Sequence, residues 1–404
     1  MLPPRSTVDC NARFHAATCE ASGARRLVRM LGTLWSGIPP LTLTTLSDRM
    51  RNSHREHRAI IERLLVRDAD GAATTLEEHI RNAAMSWPRS WPVTTTRVAS
   101  SREHQDMAAE RDLVGYADKP PPGPWPNGAR LAISIVVNYE EGSERSRAMG
   151  DPDQESMTEW GNYPMPPDIR NLAMESMYEY GARVGVWRVL DILADTRVKS
   201  TFYACAVAFE QNPDVAKAAV QGGHEVCSHG YRWEEVFRLS EEEERARIRM
   251  AVESFERTCG KRPIGWYCRY GPSVRTRRLV VEEGGFLYDS DSYNDDTPYF
   301  VEVEGKRHLV IPYTPDINDF CFWNSPGFVQ AEDFFKYMRE SFDVLHAEGA
   351  RYRRMMSIGL HPRIVGRPGR VRALRWFIDY ARQFPDVWFT TREEIARAWL
   401  QQPG

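Results

Sequence analysis

Two adjacent acids, Glu140 and Glu141, stand directly behind the apolar run 131–137, and His229 and His361 follow two further short apolar runs in the same way. A carboxylate can take a proton from water and an imidazole exchanges protons near neutral pH, so the set supplies a base and an acid for hydrolysis of an amide or ester. Arg269, behind another run, adds a fixed positive charge for a developing anion, and Asp316 and Asn318 occupy the equivalent place behind a further one. A Glu-Glu pair is ordinarily solvated surface; its place immediately after a run of buried type is what singles this one out. His224 and His308 begin apolar runs and His346 lies within a helical pattern, so these three read as packing or surface residues.

Bringing residues so far apart onto one face requires short parallel strands joined by crossover helices, with the polar residue after each strand at a common mouth. Strands are predicted over 131–137, 199–205, 224–228, 264–268, 286–289, 308–313, 355–360 and 387–390. Helices are predicted over 172–194, 239–258, 275–284, 331–348 and 370–383. Seven or eight such units in under 300 residues suit a closed barrel, and no Gly-rich phosphate turn follows the first strand, as a dinucleotide-binding sheet would offer. Upstream, apolar residues recur at helical spacing from about Asn11 to Asn82, interrupted once at 37–40 by glycine and proline. The Trp-Pro pairs and the Lys119-Pro120-Pro121-Pro122 stretch between the two patterns read as a connection.

Composition narrows the partners. A chain of 404 residues with 42% hydrophobic content can bury one large core and a smaller one. A net charge of -3 offers no field for nucleic acid or an anionic membrane, and the longest apolar run is too short to span a bilayer. The expectation is a cytoplasmic protein acting on a small molecule, with self-association left open. Seven scattered cysteines without a Cys-x-x-Cys pair suggest neither a zinc ribbon nor a disulfide framework.

In order and type, these residues resemble the polysaccharide deacetylase (NodB-homology) superfamily. Asn138-Tyr139-Glu140-Glu141-Gly142 is similar to its first motif, Thr-Phe-Asp-Asp-Gly, where the first acid is the base and the second a metal ligand. Leu360-His361-Pro362 is similar to the motif that donates the general acid, and Arg269-Tyr270-Gly271-Pro272 loosely to the arginine motif. The second motif, His-Ser/Thr-x-x-His, appears as His229-Gly230-Tyr231-Arg232-Trp233, so one zinc ligand is replaced by Trp233. With the stretches 282–293 and 360–370, the chain resembles the metal-independent allantoinase branch, from which only Cys268-Arg269-Tyr270-Gly271-Pro272 departs, leaving a related cyclic amide open.

The resemblance implies a distorted (β/α) barrel over 111–404, preceded by a small all-helical segment. It implies a hydrolase of carbon–nitrogen bonds that opens the hydantoin ring of allantoin to allantoate in urate catabolism. Glu140, His361 and His229 would be catalytic and Glu141, Arg269, Trp233 and Asp316 would bind substrate, with no metal in the barrel. Glu141 would hold the ureido group or fix His229. The alternatives are a zinc-dependent carbohydrate N-deacetylase and, in a different class, a non-catalytic effector sensor.

Residues 1–87, separated from the barrel by a linker over 88–110, resemble the C-terminal part of the FCD domain of GntR-type regulators. There an acidic or amide residue and three histidines hold a metal, and the matching positions are Asn11, His15, His57 and His79. Asn11 and His15, four apart, share one helix face. The opening helices of such a domain and its winged DNA-reading partner are not in this sequence, so no nucleic-acid partner is expected.

Overall fold

The run Leu131–Tyr139 is apolar at almost every position and buried at all of them, the pattern of a strand covered on both faces, and it forms the central strand β1. In the computed structural model, which describes residues 47–85, 111–160, 166, 169–324 and 327–401, contacts divide the chain into units 1–102 and 103–404. Within the second unit β1 is followed by β2 (Thr201–Ala204), β3 (Glu225–Ser228), β4 (Gly265–Trp266), β5 (Tyr288–Asp289), β6 (Tyr299–Val303), β7 (Lys306–Val310), β8 (Arg354–Leu360) and β9 (Val387–Thr390). They form one sheet in the order β6-β7-β5-β4-β3-β2-β1-β8, with β9 also paired to β1.

All pairings but one are parallel. β1 pairs along its length with β8; its other edge takes β9 beside 131–134 and β2 beside 136–139. The exception is the β6–β7 hairpin, whose Glu304-Gly305 turn has φ of 49° and 73°, the two positive values that suit the twist of a two-residue hairpin. This hairpin was not anticipated, and β7 lies slightly upstream of the predicted 308–313. Pro312 has no amide to donate, though Ile311 N and Tyr313 N on either side still donate to Asp289 O and Ser292 O, and the buried Arg392 guanidinium donates to the carbonyls of Ile311 and Pro312 at 2.6 Å each. The free edge of β8 is met by irregular backbone: Met355 N donates to Asp296 O and Gly359 N to Ile317 O, both at 2.9 Å. The result is a mostly parallel α/β sheet curled into a distorted barrel.

One predicted helix carries a distortion that matters for the site. The stretch 172–194 forms helices at Leu172–Tyr180 and Val186–Asp195 joined by a π-helical turn at Gly181–Gly185. A Cβ on Gly185 would lie 2.0 Å from the carbonyl oxygen of Pro362, and one on Gly181 would meet the Glu141 carboxylate at 2.2 Å. The two glycines, one turn apart, let this helix press directly onto the Glu140-Glu141 and His361-Pro362 corners. In the first unit, helices Ser47–Leu65 and Ala69–Met85 pack as a pair. No described helix is long and apolar enough to cross a membrane.

Because the obstacle at Gly185 is backbone rather than a flexible side chain, Gly185→Ala should destabilise the barrel by about 1–3 kcal/mol, the usual cost of overpacking. Thermal denaturation followed by circular dichroism reads this, and an unchanged melting temperature would show that the Pro362 corner is free to move.

Candidate active site

The chain leaves β1 through a tight turn in which Ser143 N donates to Glu140 O at 2.9 Å and Gly142 adopts φ 87°. This directs Glu140 and Glu141 into the protein beyond the carboxyl end of the sheet. β3 delivers His229 and β8 delivers His361, and a short helix over Pro362–Val365 sets Arg363 beside them. Across the mouth, the turn Asp319–Phe322 contributes Asp319.

These side chains meet on one carboxylate. Glu140 Oε1 accepts from His229 Nε2 at 3.0 Å and faces His361 Nε2 at 3.6 Å, while its Oε2 accepts from Arg363 Nη2 at 2.6 Å. Asp319 fixes His361 doubly, accepting from Nδ1 at 2.6 Å and from the backbone amide at 2.7 Å. His229 Nδ1 in turn faces the Tyr267 carbonyl at 3.3 Å. Glu141 turns away from the histidines: it accepts from the Arg363 amide at 3.2 Å and from the Glu140 amide at 3.1 Å. Glu140 and His361 are 1% and 3% exposed, so a ligand reaches them only after surrounding side chains shift.

The electrostatics separate the groups. Burial opposes charge on Glu140, but Arg363, His361 and the His229 bond together outweigh it and hold the carboxyl well below its usual range. Burial pushes Glu141 up, with Arg363 relieving it in part and the Glu140 charge adding to the rise. His361 suffers the same desolvation, yet Asp319 and Glu140 favour its cationic form and the net shift is upward. Glu144, buried close by, is pushed up to about 7 by desolvation.

Of the residues predicted for the site, Glu140, Glu141, His229, Trp233 and His361 come together. Arg269 joins through Trp233: its guanidinium lies 3.8 Å from the indole ring, donates to the Trp233 carbonyl at 2.9 Å and pairs with Glu155 at 2.6 Å. Asp316 does not join. It is exposed, accepts from Tyr337 OH at 3.0 Å and lines a separate cleft with Tyr293 and Glu340, because the chain turns inward only two residues later, at Asn318. The expectation that Glu141 fixes His229 is also corrected, since Glu140 makes that contact. Two residues were missed. Arg363 lies within the quoted 360–370 stretch but two places beyond His361, and Asp319 directly follows Asn318 in a segment without periodicity.

The metal triad of the wider superfamily's motifs does not fit these residues. Trp233 offers no ligand atom, both oxygens of Glu141 accept backbone amides, and the Arg363 guanidinium lies between the two glutamates. Among the described residues no group of three or more His, Cys, Asp or Glu is arranged to hold a metal ion. In the helical unit His57 Nε2 and His79 Nε2 are 3.2 Å apart, with His79 Nδ1 on Glu56 at 2.7 Å. Two nitrogens on one tetrahedral zinc would be about 3.3 Å apart, so the pair fits a shared ion as well as a direct hydrogen bond. Asn11 and His15 lie outside the described residues.

Acids and imidazoles gathered at the carboxyl ends of a mostly parallel sheet define a hydrolytic α/β protein. Comparison with known proteins gives the family. Residues 173–288 match the polysaccharide deacetylase family model, and residues 3–82 match the FCD domain. A Schizosaccharomyces pombe protein named "Putative polysaccharide deacetylase" is 40% identical over 313 residues, covering 72% of this chain and 98% of that one. The structure of a probable polysaccharide deacetylase from Pseudomonas aeruginosa is 47% identical with a TM-score of 0.70, covering 72% of this chain and 98% of that one. That of Puue allantoinase, also 47% identical with a TM-score of 0.70, covers 73% of this chain and 98% of its own. The chain belongs to the polysaccharide deacetylase family of hydrolases.

The upward shift of His361 has a definite consequence. Its folded pKa lies above the ordinary 6.5, so the stability it contributes is complete below that value and is lost as the pH rises through the folded one. Asp319→Asn should lower the His361 pKa and narrow that window toward lower pH. An NMR titration of the histidine ring protons reads it, and an unmoved midpoint would remove Asp319 from the role.

Proposed function

We propose that this chain is a cyclic-amide hydrolase that opens the hydantoin ring of allantoin to give allantoate without a metal in the barrel. The observation that carries the reading is the convergence of Glu140 and His361 at one oxygen, with the zinc position taken by Trp233. The 47% identity to Puue allantoinase over 73% of the chain supports the substrate. Glu140 takes a proton from the attacking water at Oε1, and His361 protonates the departing ring nitrogen. Asp319 keeps the His361 imidazole oriented and favours its cationic form. Glu140 is ionised throughout the physiological range, as a base must be, but the cations around it weaken its basicity. Its contribution is therefore mainly positional, holding water against the carbonyl carbon.

His229 bonds the same Glu140 oxygen that faces His361 and keeps it turned toward that imidazole, while Arg363 holds the other oxygen. Arg269, balanced by Glu155, holds Trp233 rather than substrate, which revises the role expected for it. Glu141 supports Arg363 from behind. In the second reading the protein is a zinc-dependent carbohydrate N-deacetylase, favoured by the name of the fission-yeast relative. For the helical unit, we propose that His57 and His79 share a divalent ion.

Metal-stripped protein should open allantoin as fast as untreated protein, and Glu140→Gln or His361→Ala should each reduce kcat/KM by about 100- to 10,000-fold. Variants that keep about a third or more of the activity would refute these roles. Loss of turnover on stripping, restored by zinc and directed at N-acetylated oligosaccharides, would establish the second reading. Metal analysis of the purified full chain should show less bound ion in His57→Ala than in wild type, and equal content would end the proposal for the helical unit.

A further inference from the structure

Arg363 has more hydrogen-bonding capacity than the protein uses. Its side chain is fully buried, and of the guanidinium nitrogens only Nη2 has an acceptor, Glu140 Oε2 at 2.6 Å. Nη1 lies 3.6 Å from Glu141 Oε1, beyond hydrogen-bonding distance, and both Nη1 and Nε are buried without an acceptor among the described residues. Other arginines, Arg269 at its Nε among them, also leave a nitrogen without an acceptor among the described residues, but Arg363 is fully buried and leaves two beside the Glu140 carboxylate, where an acceptor from outside the chain would complete it. Around the guanidinium stand the rings of Tyr178 at 4.6 Å, Trp233 at 5.0 Å, Phe320 at 5.6 Å and Trp323 at 5.7 Å. The Trp323 indole N–H is a second buried donor without an acceptor among the described residues. Phe320 also packs edge-on against His361 with ring centroids 4.3 Å apart, so this aromatic enclosure is continuous with the reacting groups. Arg269 differs: Glu155, the Trp233 carbonyl and Tyr270 OH already occupy its two terminal nitrogens.

We infer that Arg363 is the residue that receives the scissile carbonyl, its Nη1 donating to that oxygen and to the oxyanion it becomes. The inference rests on the reading of this site as an amide hydrolase. The water oxygen bonds to the carbonyl carbon and gives one proton to Glu140, while the carbonyl π pair moves onto the oxygen held by Arg363. On collapse that pair re-forms C=O, and the C–N bond breaks toward a nitrogen that takes the His361 proton. Glu140 then returns its proton to His361, leaving the carboxylic acid and the freed ureido N–H. The guanidinium thereby provides in fixed form the charge that a bound metal provides in a zinc hydrolase, and Trp233 is the ring that bounds it.

The test uses the full chain with Arg363→Ala and Arg363→Lys, folding checked by circular dichroism, on allantoin, hydantoin and an N-acetylated chito-oligosaccharide. On whichever amide the wild type cleaves, Arg363→Ala should lower kcat about 100- to 1,000-fold with a much smaller change in KM, as loss of an oxyanion donor does. Added guanidinium ion should recover part of the alanine variant's rate, and lysine, which keeps the charge without the fork, should retain an intermediate rate. Alanine-variant activity within about threefold of wild type, or a loss confined to KM, overturns the inference. Cleavage of the oligosaccharide but not of allantoin would sink the substrate assignment and leave the Arg363 comparison readable. No turnover of any of the three amides overturns both.

Discussion

A single carboxylate shared by three cationic or proton-bearing partners organises the mouth of this barrel. Glu140 receives Arg363 on one oxygen and the two histidines on the other, and each partner comes from a different part of the chain: the β3 end, the β8 end and the turn after it. A carboxylate this deeply buried is tolerable only when paired and hydrogen-bonded. Glu140 therefore acts as a check on the fold: unless the ends of β1, β3 and β8 are in register, an uncompensated charge is left in the interior. The register observed, Val137 opposite Leu360 and Ala204 opposite Ser228, is what brings the three ends level.

Holding them level also demands close packing from outside the sheet. The Gly181–Gly185 turn brings the neighbouring helix against both corners that carry reacting groups, Glu141 at one glycine and Pro362 at the other. Gly366 continues the same contact, since a Cβ there would meet Pro362 O at 2.3 Å and Gly185 Cα at 2.4 Å. A wider π turn at this point lets the helix present two glycines at its inner face, and insertions of this kind recur where function constrains a helix. The backbone contact sets the height of the short helix that carries Arg363, and so couples the geometry of the guanidinium to the packing of a helix that carries no reacting group.

Much of this was legible in the sequence, and the parts that were not share a cause. The strands that hold Glu140, His229 and His361 are continuous apolar runs, and the polar residue behind each is unambiguous once a parallel sheet is assumed. Asp316 was chosen by the same rule and failed, because the regular strand ends at Val310, irregular pairing runs on to Tyr313, and the inward turn arrives only at Asn318 and Asp319. The rule finds residues at regular strand ends; it cannot count through an irregular one. Arg363 escaped for a related reason: it projects from a helix of four residues, too short for any periodicity to announce. The β6–β7 hairpin carried a readable turn in Glu304-Gly305 but did not fit an alternation of strands and helices.

The paired acids show how neighbours in sequence are set apart by their surroundings. Glu140 and Glu141 are neighbours in sequence and equally buried, yet the environment drives their proton affinities in opposite directions. Arg363 favours the charged form of both, reaching Glu140 at 2.6 Å with Nη2 and standing 3.6 Å from Glu141 with Nη1, but His361 and His229 act on Glu140 alone. Two like charges side by side repel, and the Glu140 charge adds to the rise that burial produces at Glu141. Glu141 is held instead by two backbone amides, and Arg363 Nη1 is left without an acceptor among the described residues. In the role proposed for Arg363 that donor matters, because a cation whose donors were all taken by its own chain would have nothing to offer a substrate.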